Sequence, residues 1–292
     1  HACMPVHACG WDVTVTLDTS DEVGEIRVMG KLTVATGTYE LTCDSLIVMG
    51  ANSELEIGTE SERYSGDFTL TLKGEQPESF MHMGHDMGWR ALLALNGGTL
   101  NLHGEDRVEW TRLDANVEAG SNSITMAEAV DWRPGDEIVL VSSTNDWNEA
   151  EELTVASVTG GGTVVNLTSN LSYWHCGTIQ QYTRPSDGKT WTADMRAEVG
   201  LLTRNVTIQG ASDSVATGTG AHIMVHGEDN GHMASGYAYI EGIEVFRGGQ
   251  ESILGRYPFH WHLVAGNGTG QYFNDSSVHD STNRGITIHG TD

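Results

Sequence analysis

The feature that most constrains this chain is a recurrence: short strand-type runs end at glycine roughly every two dozen residues. In the first half these runs are Glu25–Gly30, Ser45–Gly50, Thr69–Gly74 and Leu92–Gly97, whose terminal glycines step by 20, 24 and 23 residues. A second series comprises Val206–Gly210, Ile223–Gly227, Ile243–Gly248, His260–Gly266 and Ile286–Gly290, with steps of 17, 21, 18 and 24. Self-similarity at this period, carried by strands, is the mark of stacked coils. Each coil is a strand, a turn that needs glycine, and another strand. One coil cannot bury its inner face, so stacking must do so. The alternation in Glu54–Gly58 and Thr99–His103 places apolar side chains on one face only. A β-sandwich is the competing architecture, but its turns recur at about 8–12 residues.

Residues 113–175 break this pattern. Val130–Val141 reads as a turn feeding an apolar strand, and Glu152–Val158 answers it across Thr144–Glu151, so a hairpin-rich insertion is expected there. Helical signal is confined to Thr192–Glu198, with Thr192 as N-cap. Residues 75–88, rich in Met and His, and 184–196 read as loops. No apolar run approaches the ~18 residues that span a bilayer.

Several strings are specific enough to indicate kinship. Gly24–Leu32, Gly50–Thr59 and Leu70–Gly74, within Trp11 to about Arg112, resemble the G-eight domain, an extracellular β module. Val130–Asp136, Leu201–Gly210, Gly249–Gln250, Leu254–Leu263 and Asn283–Thr291 resemble the region that follows it in the same family. That family includes the cell-migration-inducing hyaluronan-binding protein, its transmembrane hyaluronidase relative and fibrocystin-like receptors. The resemblance implies an all-β chain: a G-eight-type domain over 1–112, then a right-handed parallel β-helix over 113–292 carrying the insertion at 113–175. Members run on beyond the equivalent of Thr291. Some depolymerise or bind hyaluronan, and others are adhesive or structural, so kinship fixes fold before chemistry.

The best chemical cluster is Arg256, His260 and His262, with His279, Asp280, Arg284 and His289 further on. His260 and His262 project to the same side of a strand. If that side faces outward, coils gather imidazoles, a carboxylate and guanidinium groups into one groove. Arg256 and Arg284 would clamp a sugar carboxylate, with His260, His262 or Asp280 as general acid or base. The competing reading buries both histidines between coils, bonded to turn carbonyls. No acidic pair stands out for glycoside hydrolysis.

Other candidates are local. His82, His85 and Asp86 have metal-ligating side chains, with Met sulfur nearby suited to Cu(I). His222, His226 and His232 form a looser group, and His1 offers a terminal amine and ring. Acidic stretches such as Glu149–Glu152 offer oxygens to a divalent cation such as calcium. Asn166, Asn170, Asn205, Asn267 and Asn274 head glycosylation tripeptides. Cys3, Cys9, Cys43 and Cys176 allow three connectivities if all are paired. Glycosylation signals and an even cysteine count favour a secreted or cell-surface setting.

Charge sets limits on partners. Fifteen Lys and Arg against 40 Asp and Glu give a net charge of −25, which repels nucleic-acid backbones. It also opposes polyanionic sugars unless metal ions or a local Arg/His patch reverse the sign. Two functions are therefore expected as alternatives. One is recognition, with or without depolymerisation, of an acidic matrix polysaccharide of the hyaluronan type. The other is a non-enzymatic adhesion or filament module in which another chain stacks on the edge left after Ile286–His289, giving a homo-oligomer or filament. Either the chain is a piece of a longer one, or another segment completes that edge.

Overall fold

The computed structural model describes residues 6–8, 14–75, 80–82, 85–227 and 234–291; at 6–8, 14, 15 and 85 it describes the backbone alone. Two compact units are present, one formed by 1–106 with 204–292 and the other by 107–203. His1, Cys3, Cys9 and His232 lie outside the described residues.

The first unit is a parallel β-helix with three faces. Its first sheet stacks Val6–Ala8, Ile26–Val28, Leu46–Met49, Ala91–Leu95, His222–His226, Phe259–Ala265 and Ile286–Thr291. The second stacks Thr14–Leu17, Lys31–Val34, Glu54–Ile57, Thr99–His103, Tyr237–Glu241 and Tyr272–Asn274. The third stacks Asp21–Glu22, Thr38–Cys43, Asp67–Leu72, Val206–Gly210, Glu244–Phe246 and Ser277–His279. The chain visits the three sheets in turn, and every neighbouring pair is parallel. Strands on both sides of residue 112 share these sheets: Thr99–His103 pairs with Glu54–Ile57 and with Tyr237–Glu241.

The apolar positions read from the sequence become rungs. Leu46, Leu92, Ile223 and Phe259 stand in one inward stack, and Val48, Ala94, Val225 and Trp261 in the next. On the third sheet Leu41, Leu70, Ile208, Val245 and Val278 align likewise. Each fully buried Leu, Ile, Val or Phe contributes about 1.5–3 kcal/mol of apolar transfer. The glycines serve the corners between sheets. Gly97 takes φ +90°, a region closed to most side chains. A Cβ on Gly98 would lie 2.2 Å from the carbonyl oxygen of Val48 on the coil before, so stacking itself demands glycine there.

Within residues 75–88, read as a loop, Phe80–His82 and His85–Gly88 instead pair as antiparallel strands, a hairpin. Its Phe80 and Met87 pack with Ile47, Ala91, Leu93, Leu95 and Met224 on the outer surface of the first sheet. This explains why Ala91–Leu95 is buried at every position, which period-two alternation does not predict.

The second unit is an antiparallel sheet in the order Trp110–Arg112, Glu198–Leu201, Glu137–Leu140, Glu151–Thr159, Val164–Leu167, Ser123–Thr125. It carries its own core, including Leu113, Ile138, Leu140, Val155, Val165 and Val199. The hairpin expected from Val130–Val141 and Glu152–Val158 is present. The helical turns expected over Thr192–Glu198 are not: Thr190–Ala193 pairs with Gln180–Thr183, and Glu198 opens another strand. Cross-strand pairing overrides the weak local helix signal. Cys43 and Cys176 are buried free thiols, which rules out a framework pairing all four cysteines.

Candidate functional site

The outer surface of the first sheet changes character along the helix axis. Where the hairpin covers it, the surface is apolar; beyond the hairpin it is a groove of about 760 Å³ lined by histidine, arginine and a few apolar groups. Parallel register builds this lining. Met224 aligns with His260 and Thr287, while His226 aligns with His262 and His289. Three coils thus place imidazoles at one rung, with ring centroids 5.3 Å apart for His226–His262 and 5.2 Å for His262–His289. His260 adds a fourth ring 4.9 Å from that of His262.

His260 and His262 face outward, away from Phe259 and Trp261, as the groove reading required. Yet His260 is only 2% exposed, and its Nδ1 lies 3.1 Å from the carbonyl of Gly255. The competing reading, a turn-bonded histidine, therefore describes the same side chain. Burial, then the neighbouring His262, pushes its pKa down to about 4. It is neutral at physiological pH, donating from Nδ1 and keeping a lone pair on Nε2. His262 Nδ1 and His289 Nδ1 are 3.2 Å apart. After His262 the strand breaks register, and Leu263 and Ala265 take φ of +57° and +47°.

Arg256 closes one end of the groove. Its Nη2 donates to the Asp86 carbonyl at 2.8 Å and approaches the Asp86 carboxylate at 3.1 Å. Its Nη1 lies 3.4 Å from Nε2 of His222. Burial holds His222 well below the usual imidazole range, helped by Arg256 and then His260. The ring is thus a neutral acceptor for the guanidinium. Burial also works against the charge of Arg256, and Asp86 offsets this only in part. Arg284 is exposed on the groove rim.

Asp280 is not in this groove. It follows the third sheet, where His279 bridges Glu244 and Asp280 at 3.0 Å each. Of the local metal triad, His82 is buried with its Nε2 unpartnered, and Asp86 is engaged by Arg256; the side chain of His85 lies outside the described residues. Glu151 in the acidic stretch is taken up by His175 and the backbone of Ser172 and Tyr173. Sequence reasoning named His226 and His289 but not their shared rung. Aligning the apolar positions of the three strands would have found it.

The glycosylation asparagines differ in circumstance. Asn170, Asn267 and Asn274 are exposed, and the Asn166 amide donates to Ser157 at 3.0 Å. Asn205 is spent internally: Nδ2 donates to the carbonyls of Tyr64 and Gly66, and Oδ1 accepts from the Glu105 amide. A glycan there would displace these bonds.

Among the described residues no helix is long and apolar enough to cross a membrane. The chain is 34% identical to fibrocystin-L of Mus musculus and 33% identical to that of Homo sapiens, in each case over 95% of this chain and 7% of the relative. A G8 domain-containing protein of Dictyostelium discoideum is 29% identical over 92% of this chain and 22% of its own. The chain thus spans a small fraction of these relatives. A tailspike of Acinetobacter baumannii bacteriophage AP22, solved in complex with a capsular saccharide, is 14% identical, covering 90% of this chain and 39% of its own. Its TM-score of 0.28 is too low to carry any argument. Residues 8–114 match the G8 domain and residues 218–292 match the CEMIP beta-helix. The chain therefore carries a G8 domain, followed by a segment of the CEMIP beta-helix type.

Proposed function

We propose that this chain is a recognition module, displayed at the cell surface or in the extracellular matrix, that binds an acidic polysaccharide of the hyaluronan type along the groove. The observation that carries the reading is local sign reversal. In a chain of net charge −25, the groove among the described residues sets two guanidinium groups, Arg256 and Arg284, against one carboxylate, Asp86, and adds the imidazoles of His226, His260, His262 and His289 as hydrogen-bonding groups. Exposed Arg284 is suited to meet a uronate carboxylate, and exposed Leu254 and Ile288 offer apolar surface to sugar faces. Among the described residues the lining holds a single carboxylate, which favours binding over glycoside hydrolysis, a chemistry that ordinarily needs two facing carboxylates. A charge-assisted bond contributes about 1.5–3 kcal/mol.

The test is calorimetric titration with a hyaluronan oligosaccharide of defined length, with and without chelator, followed by sizing of the sugar. Saturable binding that weakens with salt is expected. Arg284→Ala should weaken it by about ten-fold, the ratio that 1.4 kcal/mol produces, and the sugar should keep its length. Failure to bind, or equal binding by the variant, would overturn the assignment; shortening of the sugar would replace recognition with depolymerisation.

A further inference from the structure

We infer that His260, His262 and His289 form a transition-metal site on the outer surface of the β-helix, selective for Zn(II), Co(II), Ni(II) or Cu(II) over calcium and magnesium. The inference is independent of the polysaccharide reading and rests on the geometry of the three rings. One nitrogen from each lies within 4.8 Å of the other two. His262 Nδ1 and His289 Nδ1, at 3.2 Å, are near the about 3.3 Å that separates two nitrogens bound tetrahedrally at 2.0–2.1 Å from zinc. Two facing imidazole nitrogens at that distance accommodate at most one hydrogen between them. One metal ion engages both lone pairs.

The support around the rings is that of a ligand set. The Nδ1–H of His260 donates to the Gly255 carbonyl, which fixes the tautomer and leaves the lone pair on Nε2 as the available donor. A backbone carbonyl on the far nitrogen is a common orienting partner for metal-bound histidine. His262 and His289 are held in register by paired strands. His289 is exposed, so its ring has freedom to close the remaining distance. The groove leaves a fourth position for water or an anionic group. Three nitrogen donors without a carboxylate match borderline metals, whereas calcium takes six to eight oxygens. His226, whose ring neighbours His262 on the next coil, stands as a further donor.

The experiment is titration of tag-free, chelator-stripped chain with Co(II), read by visible absorption, then displacement with Zn(II). One equivalent of Co(II) with the intense d–d band of four-coordinate geometry is expected, and Zn(II) should erase it. His289→Ala should weaken binding at least ten-fold. His262→Ala/His289→Ala should abolish the band while circular dichroism and the melting temperature confirm the fold. If the double variant unfolds, His289→Gln serves in its place, since it keeps the strand and removes one donor. Absence of the band in the wild-type chain, or its survival in the folded variants, overturns the site and assigns any uptake to other histidines.

Discussion

A side chain in this column answers to the coil above and the coil below, and that sets what single substitutions do. Gly98 shows the steric limit. A Cβ there would meet the Val48 oxygen at 2.2 Å, and neither coil can retreat without losing its ladder. Gly98→Ala should destabilise by about 1–3 kcal/mol, the range for overpacked sites, seen as a lower urea midpoint with unchanged slope. His279 shows the electrostatic counterpart. Burial lowers its pKa, but the hydrogen bond and charge of Glu244, joined by Asp280, outweigh burial and raise it above 6.5. The folded chain then holds a proton that the unfolded chain releases. Its contribution is full below about pH 6.5 and is lost as pH rises through the folded pKa. Urea midpoints should therefore fall between pH 6 and pH 9, and His279→Gln should flatten that slope. A wild-type curve as flat as the variant's would disprove the coupling.

At the scale of elements, the sequence was most legible where a rule of spacing had a single physical cause. Strands at Ile26–Val28, Leu46–Met49 and Ala91–Leu95 follow from apolar runs ending at corner glycines. The hairpin at 80–88 was illegible because its Met- and His-rich composition lacks alternation; only the outward Ala91, Leu93 and Leu95, apolar without apparent reason, hinted at a cover. The groove was half legible for the same cause. Arg256, His260 and His262 were visible as a string, but Asp86 reaches Arg256 from that unread hairpin. Asp280 was misplaced among the groove residues because nearness in sequence hides a change of sheet. The cover itself is testable. Phe80 is buried and lies beneath the guanidinium of Arg27 at 5.3 Å. Phe80→Ala should increase proteolytic cutting within 80–88 many-fold while leaving the melting temperature of the column within a few degrees. Unchanged cutting would show that the hairpin holds without its aromatic anchor.

On the scale of the whole molecule, the second unit has a hydrophobic core of its own, and the column does not use those residues in its sheets. The strands that flank it, Thr99–His103 and Val206–Gly210, belong to successive faces of one coil. Replacing residues 107–203 by a short glycine–serine turn should leave a folded parallel column with its β-type circular dichroism and cooperative melt intact. Loss of cooperativity would show that the inserted unit is needed to hold the corner. The Glu105 amide donates to the Asn205 side chain at 2.8 Å, so two positions a third of the chain apart are immediate neighbours. Contour length is consequently a poor ruler of position in this chain. The inserted unit at 107–203 enters at one corner without shifting a rung, and histidines on stacked strands are best matched by tallying coils instead of residues.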